Sequence, residues 1–148
     1  MHVEEYAQTL TQPPATAGDR FPWWISTSVI VGSLLMLTGA ILAIAHPASL
    51  VSPTDQINGA VRIYAGYLFS RNLALAIMLL ATLASRAGRW LACLMLLTGL
   101  VQILDASLDI LDGRIAVAPA AAILGILFLL GSSRLAGHPF WRREAWGS

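Results

Sequence analysis

Arg71, Asp105 and Asp109 stand inside stretches of sequence that are otherwise almost wholly apolar. If such a stretch crosses a bilayer, each charge costs about 2.5–3.5 kcal/mol on insertion scales, so it needs a partner or a task. A guanidinium offers a planar fork of donors that a carboxylate can accept at two points. A carboxylate held in apolar surroundings can also serve as an acid or base. The spacing puts these groups on defined faces. Tyr64, Tyr67 and Arg71 follow i, i+3, i+7 on one helix, and Gln102, Asp105, Asp109 and Asp112 follow i, i+3, i+7, i+10 on another. Where the two faces meet they would line a polar pocket, with Asn72 and Arg62 at its edge. The candidate binding set is therefore Tyr64, Tyr67, Arg71, Asn72, Gln102, Asp105 and Asp109, and the candidates for catalysis within it are Asp105 and Arg71.

Two readings of the central pair remain open. Arg71 and Asp105 either form a structural ion pair that fixes the register of their helices, or they serve a pocket that takes a lipophilic ligand or moves a proton. Asp109 and Asp112, nearer the end of the apolar stretch, read first as the solvated end of a helix. Other chemistries find no support. His2, His46 and His138 are dispersed among termini and loops, so no metal site is expected. The single cysteine, Cys93, excludes an intrachain disulfide and a CxxC redox pair, and it reads as a small packing residue. There is no nucleophile elbow and no Gly-rich phosphate loop, and no residue pattern asks for a cofactor.

The elements that must position these residues are membrane spans. The 148 residues are 57% hydrophobic and only 11% charged, against roughly a quarter charged in a soluble domain. About 20 apolar residues cross the ~30 Å hydrocarbon core as a helix, and the chain holds four such runs, at about residues 23–45, 63–84, 90–111 and 117–135. Trp23 and Trp24 suit an interfacial belt at the start of the first run, and His46-Pro47 stops it. Ser52-Pro53-Thr54-Asp55 carries the signature of a helix start, which predicts a second helix from Pro53 to about Ser85. Pro119 is tolerated in the first turn of the last helix. Residues 1–20 lack apolar periodicity and are expected to be a disordered tail; residues 137–148, with Trp141, Arg142, Arg143 and Trp146, read as an interfacial anchor. The fold class expected is all-α, a transmembrane four-helix up-down bundle over 21–136 with short loops between antiparallel neighbours. Ser28 with Gly32, and Ala121 with Gly125, are small pairs at the spacing that lets helices approach.

All nine basic residues are arginine. Arg20, Arg86, Arg89, Arg134, Arg142 and Arg143 fall on the side of the termini, and Arg62 and Arg114 on the other, so both termini are expected in the cytoplasm. The scattered arginines form no nucleic-acid patch. Arg71 lies about eight residues, and Asp105 about six, from the opposite ends of their spans, hence roughly 12 and 9 Å deep at the helical rise. Similar depth makes their pairing reasonable.

From Tyr64 to Arg134 the pattern resembles small bacterial four-span membrane proteins of the DoxX-like and related uncharacterised groups. The resemblance rests on Gly66-Tyr67-Leu68-Phe69-Ser70-Arg71-Asn72 entering an Ala/Leu-rich span, and on Gly99-Leu100-Val101-Gln102-Ile103-Leu104-Asp105-Ala106 before a Gly-containing turn. It implies a multi-pass protein of a bacterial inner membrane, in a group some of whose members are linked to oxidoreductase or redox-stress systems. Small multidrug transporters match in length, but they rest on an acidic residue in the first span, which is missing here. Disulfide-forming membrane reductases need paired cysteines, and tetraspanin- or claudin-like proteins need a larger outer loop. Three roles remain. One is an accessory subunit with a buried Arg-Asp pair, working through a membrane partner or as a homo-oligomer. Another is a membrane enzyme or binding protein for a lipophilic metabolite. The last is an oligomeric small-solute transporter. Enzyme activity stays open, with the residues weighing against it.

Overall fold

The computed structural model describes residues 21–50, 58–138 and 141–142. Four helices make up nearly all of it: α1 (Trp23–Ala45), α2 (Gly59–Ala84), α3 (Gly88–Leu111) and α4 (Ala118–Ala136), with a short 3-10 turn at Pro47–Leu50 after α1. There is no strand among the described residues. Each helix is long and apolar enough to cross a membrane. Apart from the few polar positions of α2 and α3 around Arg71 and Asp105, each is apolar on every side. A helix that is apolar all round belongs in a protein core or in lipid, and these are not enclosed by protein. Leu34, Ile41, Ile63, Ile77 and Leu104 are among many large apolar side chains more than half exposed. An integral membrane bundle accounts for that surface.

Backbone groups inside a bilayer must be satisfied within the protein, and hydroxyls there can turn back to the helix's own carbonyls. Thr27, Ser28, Thr38, Thr82 and Ser107 accordingly donate to carbonyls one turn back, at 2.8–2.9 Å. Trp23 and Trp90 open α1 and α3 at the same end of the bundle and are 79% and 70% exposed, as interfacial aromatics should be.

One helix start differs from the sequence expectation. α2 begins at Gly59, not at Pro53, and residues 51–57 lie outside the described set. The reason is Asn58. Its backbone is extended (φ −107°, ψ −176°), and its side chain accepts from the Val61 N–H at 3.2 Å, which caps the helix there. Asn58→Ala is expected to cost about 1 kcal/mol of stability, read as a lowered unfolding temperature in detergent, whereas Asn58→Asp should preserve it. The tail 1–20 and most of 139–148 also lie outside the described residues; of the C-terminal anchor, Trp141 is exposed.

Packing is uneven around the bundle. α1 lies along α2, and α3 along α4, while α2 meets α3 and α1 meets α4 over shorter stretches. The closest approach is between α3 and α4, where Gly99 and Gly125 face each other. A Cβ on either glycine would stand 3.0 Å from the other's carbonyl oxygen. Gly32 of α1 makes room for the Phe128 ring of α4. The continuous core joins Ile25, Val29 and Met36 of α1 to Ala76 and Leu79 of α2, Leu91 and Met95 of α3, and Leu124 and Phe128 of α4. Ser33, Thr98 and Ser132 are wholly enclosed with no hydrogen-bond partner among the described residues, so their contribution to packing is small size.

α2 and α3 join this core from one half only. Between Gly59 and Leu75, α2 buries Ala65 alone, and beyond Gly99, α3 buries Ala106 alone. The turn Ser85-Arg86-Ala87 ties the two helices tightly at the end of the bundle that carries the termini, where Arg86 takes a left-handed φ of 54°. At the far end, which carries the α1–α2 and α3–α4 connections, they separate. The polar residues of the spans gather there.

Candidate functional site

The separated halves of α2 and α3 are bridged by one ion pair. Arg71 Nη2 donates to Asp105 Oδ2 at 2.7 Å and Nη1 to Oδ1 at 3.3 Å, the fork-on-carboxylate geometry that charge-assisted pairs favour. The third guanidinium nitrogen, Nε, donates to Asn72 Oδ1 at 3.4 Å. Thus Arg71 is held from both helices. The pair is not enclosed, however: the Arg71 and Asp105 side chains are 38% and 32% exposed. It is a wall rather than a core element.

Two cavities lie against that wall. One, of about 370 Å³, is bounded by all four helices: Leu35, Met36 and Gly39 of α1 face Arg71 and Asn72 of α2, Gln102, Asp105 and Asp109 of α3, and Val117, Ala121 and Leu124 at the start of α4. The other, of about 200 Å³, is a groove on the outer α2–α3 face, lined by Tyr64, Leu108, Asp112 and Arg114. Leu68, Arg71, Asp105 and Asp109 border both. The ion pair therefore stands between two clefts, one lined by all four helices and one by α2, α3 and the turn after α3.

Most of the residues singled out by spacing meet at this place, and three positions differ. Tyr67 lines neither cavity and is 71% exposed. At 3.6 residues per turn, two residues is about 160° around the helix by the shorter way, so Tyr67 points nearly opposite the buried Ala65. The i, i+3, i+7 stripe put it one edge too far from the seam. Arg62 does not join the pocket either. It borders a separate cavity with Ala43, Ile44, Pro47 and Ala65, between α1 and α2. Asp109 is more than the wet end of α3. Its side chain is only 14% exposed and pairs with Arg114, whose Nη2 donates to Oδ1.

Arg114 was missed because it lies in the turn after α3, five residues beyond its partner. The turn folds it back. Gly113 takes φ +74°, a conformation glycine reaches without steric cost, and the Arg114 N–H then donates to the Asp109 carbonyl at 2.7 Å. Gly39 and the α4 residues were also missed, because apolar and small side chains bordering a cavity look like any others in an apolar run. No group of three or more His, Cys, Asp or Glu placed to hold a metal occurs among the described residues. Cys93 is a free, half-buried thiol.

Comparison with protein-family models, with curated proteins and with solved structures found no match to this chain.

Proposed function

We propose that this multi-pass membrane protein holds a lipophilic molecule in the cavity between its four helices, with the Arg71–Asp105 pair and its amide neighbours as the polar wall. The observation that carries this reading is the position of the pair. A purely structural bridge needs no cleft beside it, whereas this one borders a four-helix cleft of about 370 Å³, a size within the range of small-molecule sites. The opposite wall is apolar, as a molecule arriving from the bilayer requires. Asp105 is also the group that would give or take a proton if the molecule were transformed there, with Arg71 as its electrostatic partner. The kinship suggested by the Arg71 and Asp105 segments is with the DoxX-like groups. The arginine bias supports a cytoplasmic side for the termini and the Ser85–Ala87 turn, which would put the cavities in the outer half of an inner membrane.

A cavity-filling variant tests the reading. Ala121 borders the cavity, and Ala121→Phe puts a phenyl ring into it. Solvent extracts of the purified wild type should contain a lipophilic species that falls at least tenfold in Ala121→Phe, with little change in unfolding temperature. Identical extracts would mean the cavity selects nothing.

A second reading rests on a different observation. Only 17% of the α2 span is buried, against 33% for each of the other three. α2 is thus the helix least covered within the chain, and a membrane partner or a second copy would cover it. That is the accessory-subunit reading; an oligomer lining a path between copies would make it a transporter. A monomer in native mass spectrometry from native nanodiscs, without a co-purifying protein, would remove both.

A further inference from the structure

We infer that the molecule in the four-helix cavity is uncharged and carries a carbonyl acceptor of the ester or amide kind on an apolar body; this rests on the binding role proposed above and narrows it. The argument begins with charge. The ionised residues bordering the cavity are Arg71, Asp105 and Asp109. Each already has its counter-ion: Arg71 with Asp105, and Asp109 with Arg114. An anionic head could approach Arg71 only by displacing Asp105, and a cationic head could approach an aspartate only by displacing an arginine. Either exchange leaves a carboxylate or guanidinium unpaired inside the span, which is the costly state. The cavity therefore selects against net charge.

What the cavity has left to offer is neutral hydrogen bonding. Arg71 Nε is a donor only, so Asn72 must present Oδ1 to it, and its Nδ2 is directed elsewhere. That amide nitrogen lies on the α1 side, 3.9 Å from where a Cβ on Gly39 would stand. The glycine keeps the space in front of it open. Gln102 has no hydrogen bond among the described residues and also borders the cavity. Two primary amides thus border the same cleft, with no hydrogen bond from the N–H groups of either among the described residues. Within a span, an amide donor left unmade costs about 1–3 kcal/mol, so a carbonyl oxygen beside either amide is favoured over bare hydrocarbon. Leu35, Met36, Val117, Ala121 and Leu124 supply the apolar surroundings for the rest of the molecule.

The test uses the full chain in nanodiscs and three photo-crosslinking probes with one diazirine-bearing alkyl tail and different heads: a methyl ester, a sulfonate and a quaternary ammonium. Crosslinks are mapped by mass spectrometry to peptides containing Gly39, Asn72, Gln102 and Ala121. The ester should label these peptides at least tenfold more than either charged probe. Ala121→Phe should abolish that labelling. Gln102→Met and Asn72→Leu, made separately, should each bring the ester down toward the level of the charged probes. If a charged probe labels best and Ala121→Phe abolishes it, the neutral-carbonyl class is wrong while the binding role stands. If ester labelling ignores both amide substitutions, the recognition argued here is wrong. If no probe labels these peptides, or labelling ignores Ala121→Phe, the binding role itself falls.

Discussion

Removing either partner of the Arg71–Asp105 pair is expected to lower the unfolding temperature of the purified protein at least as much as removing both. Asp105→Ala leaves a guanidinium roughly 12 Å inside the span at the helical rise, with Asn72 as its remaining hydrogen-bond partner in the far half of the seam. Arg71→Ala leaves a carboxylate in the same place. An unpaired charge at the centre of a span costs about 2.5–3.5 kcal/mol. The part exposure of both side chains puts the expected loss for each single variant near the lower end, about 2 kcal/mol. The double Ala variant removes both charges and leaves apolar walls facing each other, so its loss should be no larger than that of either single. The coupling read from the cycle is then at least about 2 kcal/mol. Exchanging the two residues, Arg71→Asp with Asp105→Arg, restores the charges but not the helix that presents the longer side chain, and should recover only part. Additive losses would show that the far ends of α2 and α3 are held by something other than this bridge, and that the charges serve the cavity alone.

The same geometry explains which parts of the protein could be read from the sequence. Runs of bilayer length flanked by Trp, Pro and Arg define helices with little ambiguity, because almost nothing else satisfies backbone polar groups in lipid. Arg71 and Asp105 were legible as a pair for a related reason. Charges in apolar runs are so costly that two opposite ones at matching depth have few alternatives to each other. The start of α2 was not legible. Ser52-Pro53 and Asn58 are both good starts, and local chemistry alone does not rank an Asn that caps Val61 above a Pro five residues earlier. The error at Tyr67 has a similar origin. A stripe drawn from spacing fixes which residues are neighbours on a helix but not where on the circumference the neighbouring helix lies. The cavity itself was illegible, since its existence depends on how far the far halves of α2 and α3 separate. That separation is set by where the core stops, and the core stops where Ala65 and Ala106 replace the larger buried side chains of the other half.

The α3–α4 contact should be the least forgiving place in the bundle. Gly125 was recognisable as a small residue spaced from Ala121, but its partner proved to be the backbone of α3 at Gly99. At Gly125 an added Cβ would meet the Ile103 side chain at 2.9 Å and the Gly99 carbonyl oxygen at 3.0 Å. At Gly99 it would meet the Gly125 carbonyl oxygen at 3.0 Å and Leu129 at 3.1 Å. Flexible side chains can swing away, but a carbonyl fixed in a helix cannot, so anything larger than a methyl must push the two helices apart. Apolar burial drives little of the association between helices already in lipid. It rests largely on close van der Waals contact, and separating α3 from α4 forfeits that contact along its length. Gly99→Leu and Gly125→Leu are each expected to destabilise by at least the 1–3 kcal/mol typical of an overpacked core. The control is Gly66→Ala, since a Cβ at Gly66 meets nothing within 4 Å; helix propensity alone should make that change neutral or stabilising by up to about 1 kcal/mol. Thermal unfolding of the three variants in one detergent decides the matter. Equal unfolding temperatures would mean α3 and α4 do not meet through these glycines. A selective collapse of the Leu variants would locate the strongest helix–helix contact beside the seam that the ion pair bridges, with one face of α3 rigidly held and the other able to part.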